Sequence, residues 1–165
     1  MKAVLINTIG EPKVLDIQNI PKPKITNAYE VLVKIKAASV NPIDIKLRAG
    51  DYALNNFPAI LGCDAAGIVD EVGSKVTKVK KGDHVYYFHG GLDGIQGNYT
   101  EYKLLNQRFI AKKPESINFI EAAAIPLVAI TAWESLFYHA KLTKNKSIYI
   151  NACLLYTSPS PRDRG

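Results

Sequence analysis

Residues 30–52 read EVLVKIKAASVNPIDIKLRAGDY, a stretch that predicts a β-strand followed at once by a short helix. Across Glu30–Val40, apolar side chains stand at every second position, which is the period of a half-buried strand. Asn41 and Pro42 are typical of a helix start, because proline lacks the N–H group that a first helical turn leaves unpaired. Gly50 is a typical helix stop.

Working outward from this stretch, the first two thirds of the chain consist of short apolar runs separated by turns rich in glycine and proline. Several short strands at this spacing predict a small antiparallel barrel or sandwich. The runs are KAVLI and VLDIQNI before the opening stretch, and AAGIVDEVG, DHVYY and GNYTEYKLL after it.

The character of the sequence changes at Pro114. Asn118 and Glu121 resemble a helix capping pair ahead of AAAIPLVAITAWESLFYHA, in which Pro126 should break the helix. Beyond that proline, one apolar helical face is predicted, and SIYINA, Ser147–Ala152, is predicted as a buried strand. The face comprises Ile130, Trp133, Phe137 and Ala140. A β-rich domain followed by helix, helix and strand is how a Rossmann-type sheet could begin.

The last stretch, CLLYTSPSPRDRG, fits no continuation of that strand, because a phosphate-binding turn would need glycines there. Residues 153–163 can be back-translated into a DNA string that resembles the adapter of transposase-based sequencing libraries. We therefore expect 153–165 to be a read-through artefact, the alternative being a natural Ser/Pro-rich tail. The expected domains are 1–118 and 119–152, followed by this tail.

Composition narrows the class of protein. The chain has 165 residues, 47% of them hydrophobic and 22% charged, with a formal charge of +6. The lysines are dispersed, which favours solvated turns and strand ends over a nucleic-acid surface. No apolar run approaches the roughly 18 residues of a membrane span, and the N-terminus becomes polar too soon for a signal peptide. We expect a cytoplasmic protein that binds neither nucleic acid nor membrane.

Five motifs occur in order at the separations typical of one superfamily. They are KAASVNPIDIKLRAGDY, FPAILGCDAAGIVDEVG, KVKKGDHVYY, GNYTEYKLL and EAAAIPLVAITAW. Together they resemble the N-terminal half of a medium-chain dehydrogenase/reductase, most of all the zinc-independent, zeta-crystallin-like quinone oxidoreductase branch. The resemblance implies a β-rich, barrel-like, antiparallel GroES-like catalytic domain, followed by the truncated start of an α/β Rossmann domain.

The resemblance also bears on metal binding. Zinc-dependent relatives have a cysteine ligand where Asn41 stands, and Gly-His-Glu where Gly62, Cys63 and Asp64 stand. Catalytic zinc needs three ligands of the Cys, His or Asp/Glu type, and asparagine is a poor substitute. Cys63 and Cys153, the two cysteines, lack zinc-type spacing, so we expect no metal site and interpret Cys63 as a small buried residue.

Four residues carry the implied site. By resemblance, Asn41 and Thr131 lie beside the nicotinamide of NADPH, Tyr52 lies at the substrate mouth as the catalytic candidate, and Asp44 holds the Asn41 loop among the cofactor-binding residues. Each also has an ordinary interpretation. Asn41 could simply cap a helix, Thr131 could bond within its own helix, and Tyr52 could be an amphipathic surface residue.

No histidine is assigned a catalytic role by the sequence. His84 follows a turn, and His139 ends the long helical segment, where a cation is favoured by the helix dipole. His89 lies in YYFHGGLDGIQG, a glycine-rich loop that could border a cleft. That loop lacks the G-x-G-x-x-G spacing of a phosphate cradle.

The function implied by the resemblance is hydride transfer from NADPH to a quinone or electron-poor enone without zinc. That activity would belong to the intact parent protein, which we expect to be a homodimer or homotetramer. Two alternatives stay open at this point. The chain as given is a non-catalytic truncated fragment, or it is a GroES-like module that serves only to bind other proteins.

Overall fold

The computed structural model describes residues 1–54, 56–92 and 94–150. Within these residues the β-structure forms two sheets, a two-stranded one and a five-stranded one, and every strand pair is antiparallel. In chain order the strands are β1 (Lys2–Leu5), β2 (Asp16–Asn19), β3 (Glu30–Ala38), β4 (Asp64–Val72), β5 (His84–Phe88), β6 (Tyr102–Asn106) and β7 (Ile110–Lys112).

The larger sheet pairs in the order β6-β3-β4-β5-β7, so the predicted strand of the opening stretch lies inside the sheet. The pairing of β3 with β4 changes register twice, between Leu32 and Val33 and between Ile35 and Ala37. Such irregularities bend a strand and increase its twist, which curves the sheet around its own core. We call that core the barrel core: Val31, Val33, Ala65, Val69, Val79, Val85, Tyr87, Leu105 and Ile110.

The smaller sheet joins the larger structure through two isolated bridges, Ala3 with Thr100 and Ile6 with Ala59. Ile6 is fully buried with Leu47 and Leu61 in a second apolar cluster. The expected β-rich, antiparallel, barrel-like domain is therefore confirmed.

The predicted first helix is α1, Pro42–Ala49, and it has both predicted ends. At its start, the Asp44 carboxylate accepts a 2.8 Å hydrogen bond from the backbone N–H of Asn41. At its end, Gly50 has φ +95°, in the left-handed region that glycine enters at little cost.

The capping pair ahead of the second helical region is also confirmed. The Asn118 side-chain oxygen accepts from the N–H groups of Ile120 and Glu121, and Glu121 accepts from the N–H of Asn118. This pair begins α2, Phe119–Ala123, which packs its buried alanines against Ala66 of β4. Pro126 separates two helices as predicted, because α3, Pro126–Trp133, begins at that residue.

The predicted strand GNYTEYKLL is shorter than expected. Regular pairing begins only at Tyr102, because the preceding residues bond to a different part of the chain. The N–H of Gly97 donates to the carbonyl of Ile60, and the N–H of Asn98 donates to the carbonyls of Leu61 and Gly62. Together with the bond from the N–H of Tyr99 to the carbonyl of Leu61, these bonds direct residues 97–99 away from β3.

Residues 1–131 form one compact unit, and a second unit begins at Ala132. In the described part of the second unit, a π-helical segment, Glu134–His139, interrupts the single long helix that the sequence predicts after Pro126. Trp133 and Phe137, on the predicted apolar face, stack at 4.5 Å between ring centroids and are exposed.

The strand predicted at Ser147–Ala152 does not form over residues 147–150. A strand needs a neighbour for its ladder hydrogen bonds, and no described residue pairs with this segment. Its side chains are exposed, Tyr149 by 80%. Residues 151–152 and the predicted artefact 153–165 lie outside the described residues.

None of the helices within residues 1–54, 56–92 and 94–150 has the length and apolar character needed to span a bilayer.

Candidate active site

A buried polar group lies where the chain leaves β3 and where it enters β4. Ser39 and Asn41 form the turn between β3 and α1, and Cys63 and Asp64 lead into β4. Together with Asp44 of α1 these residues form what we call the Asp64 cluster: Ser39, Asn41, Asp44, Cys63 and Asp64. Asn41, Asp44, Cys63 and Asp64 are all buried.

Asp64 connects three parts of the chain through its carboxylate. One oxygen, Oδ2, accepts from the side-chain amide of Asn41 at 3.0 Å and from the hydroxyl of Ser39 at 3.1 Å. The other oxygen, Oδ1, accepts from the backbone N–H of Leu127 in the first turn of α3 at 3.0 Å. A carboxylate at the start of a helix is favoured there by the unpaired N–H groups. Asp64 thus fixes the Asn41 turn and the start of α3 together.

Asp44 performs the corresponding task for the loop before β4. Its Oδ2 holds the N–H of Asn41, and its Oδ1 accepts from the N–H of Gly62 at 3.0 Å. The thiol of Cys63 donates to the same Oδ1 over 3.7 Å, a sulfur-length hydrogen bond. The first turn of α1 and the Gly62–Asp64 segment are therefore fixed by one side chain.

The electrostatics of the Asp64 cluster disfavour additional negative charge. Burial raises the pKa of Asp64, and the hydrogen bonds from Asn41, Ser39 and Leu127 oppose that shift. The pKa of the Cys63 thiol is raised to about 12, mainly by burial and in addition by the charges of Asp44 and Asp64. Cys63 is consequently a neutral thiol at physiological pH, unlike a reactive cysteine or a metal-bound thiolate.

The backbone at Gly62 requires glycine. Its φ is +100°, and a Cβ atom there would lie 2.7 Å from the ring of Tyr99. The side-chain amide of Asn98 donates to the carbonyls of Gly62 and His89, each at 2.9 Å. The loop after β5 is thereby held against the segment that carries Cys63 and Asp64.

The structure brings two of the four predicted site residues together. Asn41 and Asp44 belong to the Asp64 cluster, and the Asp44 carboxylate holds the backbone N–H of Asn41. Their roles in binding a cofactor remain predictions. Thr131 lies one turn along α3, where its hydroxyl donates to the carbonyl of Leu127 at 2.8 Å. That bond is the one foreseen by the ordinary interpretation of Thr131.

Tyr52 lies away from these bonded residues, beyond the end of α1. Its side chain is 51% exposed, and the ammonium of Lys46 stands 5.6 Å from the centre of its ring. A hydroxyl in such a position is accessible to a ligand. Its contribution to a substrate site remains a prediction.

Sequence reasoning missed Ser39, Asp64 and Asn98 as structural members of the site. The bond from Leu127 to Asp64 spans 63 positions, and the bond from Asn98 to Gly62 spans 36. No local pattern reports contacts at such separations. The Gly62–Asp64 motif could have indicated Asp64 as a site residue. In the sequence it indicates only that the zinc ligands of zinc-dependent relatives are replaced.

The same residues bear on metal binding. No group of three or more His, Cys, Asp or Glu side chains able to hold a metal ion occurs among the described residues. In the Asp64 cluster the side chain of Asn41 is a hydrogen-bond donor to Asp64, and the Cys63 thiol is a donor to Asp44.

The Asp64 cluster thus connects an antiparallel, barrel-like domain to the first turn of α3. The family model described as "Alcohol dehydrogenase GroES-like domain" matches residues 27–115, more than half of the chain. The chain belongs to this family, within the medium-chain dehydrogenase/reductase superfamily.

Similar proteins are oxidoreductases by name. The "Quinone oxidoreductase" of Mus musculus is 32% identical over 152 residues, covering 92% of this chain and 45% of that protein. The "2-methylene-furan-3-one reductase" of Solanum lycopersicum is 38% identical over 157 residues, which cover 91% of this chain and 40% of that protein. The crystal structure of Escherichia coli quinone oxidoreductase complexed with NADPH matches with a TM-score of 0.74 and 32% identity. The match covers 82% of this chain and 40% of that structure's chain. The chain thus spans less than half the length of these relatives.

Proposed function

We propose that the full-length protein containing this chain transfers a hydride from NADPH to a quinone or an electron-poor enone, without zinc. Relatives named for quinone and for enone-type reduction support the two acceptor classes, and a relative with bound NADPH supports the cofactor. We also propose the domain boundaries that the sequence predicts. Residues 1–118 form a GroES-like domain, and residues 119–152 are the beginning of a nucleotide-binding domain.

The donor set of the Asp64 cluster is the observation that carries the zinc-free mechanism. Catalytic zinc is held by thiolate, imidazole or carboxylate ligands. Asn41 offers an amide that already donates to Asp64, and Cys63 offers a thiol whose pKa is about 12. Binding zinc would require deprotonating that thiol between two carboxylates and breaking the bonds that hold Asp64. These residues do not fit a catalytic zinc ion.

We assign the nicotinamide of the proposed cofactor to the same region. Asn41 and Thr131 supply uncharged polar groups, which suit an amide-bearing ring, and the carboxylate beside Asn41 is already occupied by hydrogen bonds. When bound, NADPH supplies the hydride. Asn41, held at both its backbone N–H and its side-chain amide, keeps a fixed polar edge, and Thr131 presents a hydroxyl from α3.

The remaining chemistry is the negative charge that develops on the acceptor oxygen. A correctly aimed hydrogen-bond donor can stabilise such charge by about 3 kcal/mol. Tyr52 is our candidate for a donor at the substrate mouth, because its phenol is exposed and carries a transferable proton. Asp44 contributes indirectly, because its carboxylate holds the N–H groups of Asn41 and Gly62 in place.

The test is an NADPH oxidation assay on the full-length protein with a panel of quinones, cyclic enones, aldehydes and alcohols. We expect turnover with quinones or enones, unchanged after exhaustive treatment with a chelator and unchanged by added zinc. Tyr52→Phe should lower kcat. The matched control is Tyr29→Phe, because Tyr29 is also exposed and has a lysine ammonium, that of Lys75, 5.7 Å from its ring centre. Absence of NADPH oxidation with every acceptor would refute the activity, and loss of turnover on chelation would refute the zinc-free mechanism.

Location and assembly complete the proposal. We propose a cytoplasmic homodimer or homotetramer. Light scattering of the full-length protein tests the assembly, and a monomer at micromolar concentration would contradict it.

A further inference from the structure

A cavity of about 360 Å³ lies between the smaller sheet and β6, and no residue of the Asp64 cluster lines it. Its lining extends from the buried Leu5 and Ile60 to Pro21 at an exposed position, so the cavity opens to solvent at one end. A volume of this size is typical of small-molecule sites. Most of the wall is apolar, with contributions from Leu5, Ile20, Pro58, Ile60, Tyr102 and Leu104.

One wall of this cavity is fixed by hydrogen bonds between two segments of the chain. The side-chain oxygen of Gln96 accepts from the backbone N–H of Ile60 at 2.8 Å, and its amide nitrogen donates to the carbonyl of Pro58 at 3.3 Å. The N–H of Gly97 donates to the carbonyl of Ile60 at 2.7 Å. The wall is therefore formed before a ligand arrives, and binding does not have to order it.

Lys103 brings a charged group to the same wall. The residue is buried, and its ammonium donates to the backbone carbonyl of Gln96. Because Lys103 and Gln96 both line the cavity, the bond between them lies at its wall. Burial lowers the pKa of Lys103 to about 8, so most of this group is still a cation at neutral pH.

The buried cation has no acidic partner in the part of the chain that the structure describes. No ion pair there includes Lys103, and the cavity lining contains no Asp or Glu. An ammonium has three N–H donors, and the Gln96 carbonyl uses one of them. Buried charges in folded proteins are normally paired, so charge complementarity favours an anionic group beside Lys103. The apolar wall favours a ligand whose remaining atoms are hydrocarbon.

We propose that this cavity binds a small carboxylic acid with an apolar body, whose carboxylate accepts hydrogen bonds from the Lys103 ammonium. The body packs against the apolar wall, and no covalent bond forms or breaks. The site is separate from the Asp64 cluster, so this inference does not depend on the proposed hydride transfer.

The first test is calorimetric titration of the full-length protein, without nicotinamide, with three probes. Octanoate has both the charge and the apolar body, 1-octanol keeps the body without the charge, and acetate keeps the charge without the body. We expect octanoate to bind with a dissociation constant below about 1 mM. The other two probes should bind at least about tenfold more weakly, because each lacks one of the two interactions.

Two substitutions locate the bound acid. Lys103→Met keeps an unbranched apolar stem and removes the charge, so it should weaken octanoate binding about thirtyfold and leave 1-octanol binding unchanged. Leu104→Trp fills the cavity from its half-buried side and keeps the ammonium, so it should prevent binding of both probes. The control is Lys34→Met, because Lys34 is exposed on β3 opposite Tyr102 and does not line the cavity. Its affinity for octanoate should be that of the parent.

Each contrary result overturns the proposal. Absence of octanoate binding to the parent, or equal affinity for octanoate and 1-octanol, would remove the carboxylic acid as the ligand. Parental affinity for octanoate in folded Lys103→Met would remove the ammonium from the site, and parental affinity in folded Leu104→Trp would place the ligand outside the cavity. The thermal unfolding midpoint of each variant shows that it is folded, and octanoate should raise that midpoint in the parent and in Lys34→Met only.

Discussion

The barrel core and the Asp64 cluster both contain fully buried side chains, and these side chains are stabilised by opposite means. Val31, Val33 and Asp64 are all 0% exposed. The barrel core gains its stability by removing apolar surface from water, with little dependence on direction. The Asp64 cluster is tolerated only because each polar group meets a partner. The first region should therefore govern stability alone, and the second should govern stability and activity together.

The strongest test of this difference is Asp44→Ala in the full-length protein. Two N–H groups, of Asn41 and Gly62, would lose their acceptor, and each unpaired buried group costs one to three kcal/mol. We expect the free energy of unfolding to fall by about 4 kcal/mol. Urea denaturation followed by circular dichroism measures it. Asp51→Ala, at an exposed position, is the control, and equal stability of the two variants would break the comparison.

A cavity in the barrel core should affect stability without affecting chemistry. Leu105→Ala removes a buried side chain that packs among the strands, at a cost of about 3 kcal/mol. The folded variant should retain the parental kcat. The kcat is measured without urea, at a temperature well below the midpoint of the variant's thermal unfolding. A tenfold loss of kcat in the fully folded variant would show that the two regions are coupled.

Lys103 is a charged residue buried among apolar side chains, so its effect on stability should depend on pH. It is 5% exposed, burial lowers its pKa from 10.5 to about 8, and its ammonium donates to the Gln96 carbonyl. Between pH 8 and 10.5 the unfolded chain binds more protons than the folded one, so this lysine makes stability rise with pH.

Lys103→Met removes that titration. The parent should gain stability relative to the variant by up to about 1.4 kcal/mol per pH unit across this window, and the difference should be constant below it. Urea unfolding at half-unit pH steps gives the two curves. Lys75→Met, at an exposed site, should leave the parental slope intact. Parallel curves for the parent and Lys103→Met would contradict a lowered lysine pKa.

The smallest expected effect lies at the edge of the polar region. Thr131→Val removes one hydroxyl that we propose for the nicotinamide, and one hydrogen bond of about 1 kcal/mol corresponds to about a fivefold rise in the KM for NADPH. The kcat should change less than twofold. Thr77→Val, exposed and remote in sequence from the site, should leave both constants unchanged. An unchanged KM in Thr131→Val would remove this residue from the site.

The same contrast explains what could be predicted from the sequence. Local chemistry sufficed for α1, where Asn41 and Gly50 mark the ends, and for α2, where Asn118 caps the start. The alternation over Glu30–Val40 sufficed for β3. These signals lie within a few residues of what they determine.

Predictions that depended on distant partners were incomplete. Residues 97–100 alternate like a strand, but the backbone N–H groups of residues 97–99 donate to residues 60–62 instead. The alternation of residues 147–150 found no neighbouring strand to pair with. In the site, Asn41 was identified by resemblance, whereas Asp64 and Asn98 act through contacts that only the folded chain brings together.

Asp64 also has a mechanical consequence. Its two oxygens belong to one rigid planar group, with Leu127 attached to one and Asn41 and Ser39 attached to the other. A displacement of the start of α3 must rotate or translate that plane, and the Asn41 turn must follow or lose its bond. Movement of the start of α3 thus passes to the Asn41 turn through the single side chain of Asp64, which lies 63 positions before Leu127 in the sequence, with no relay of intermediate contacts.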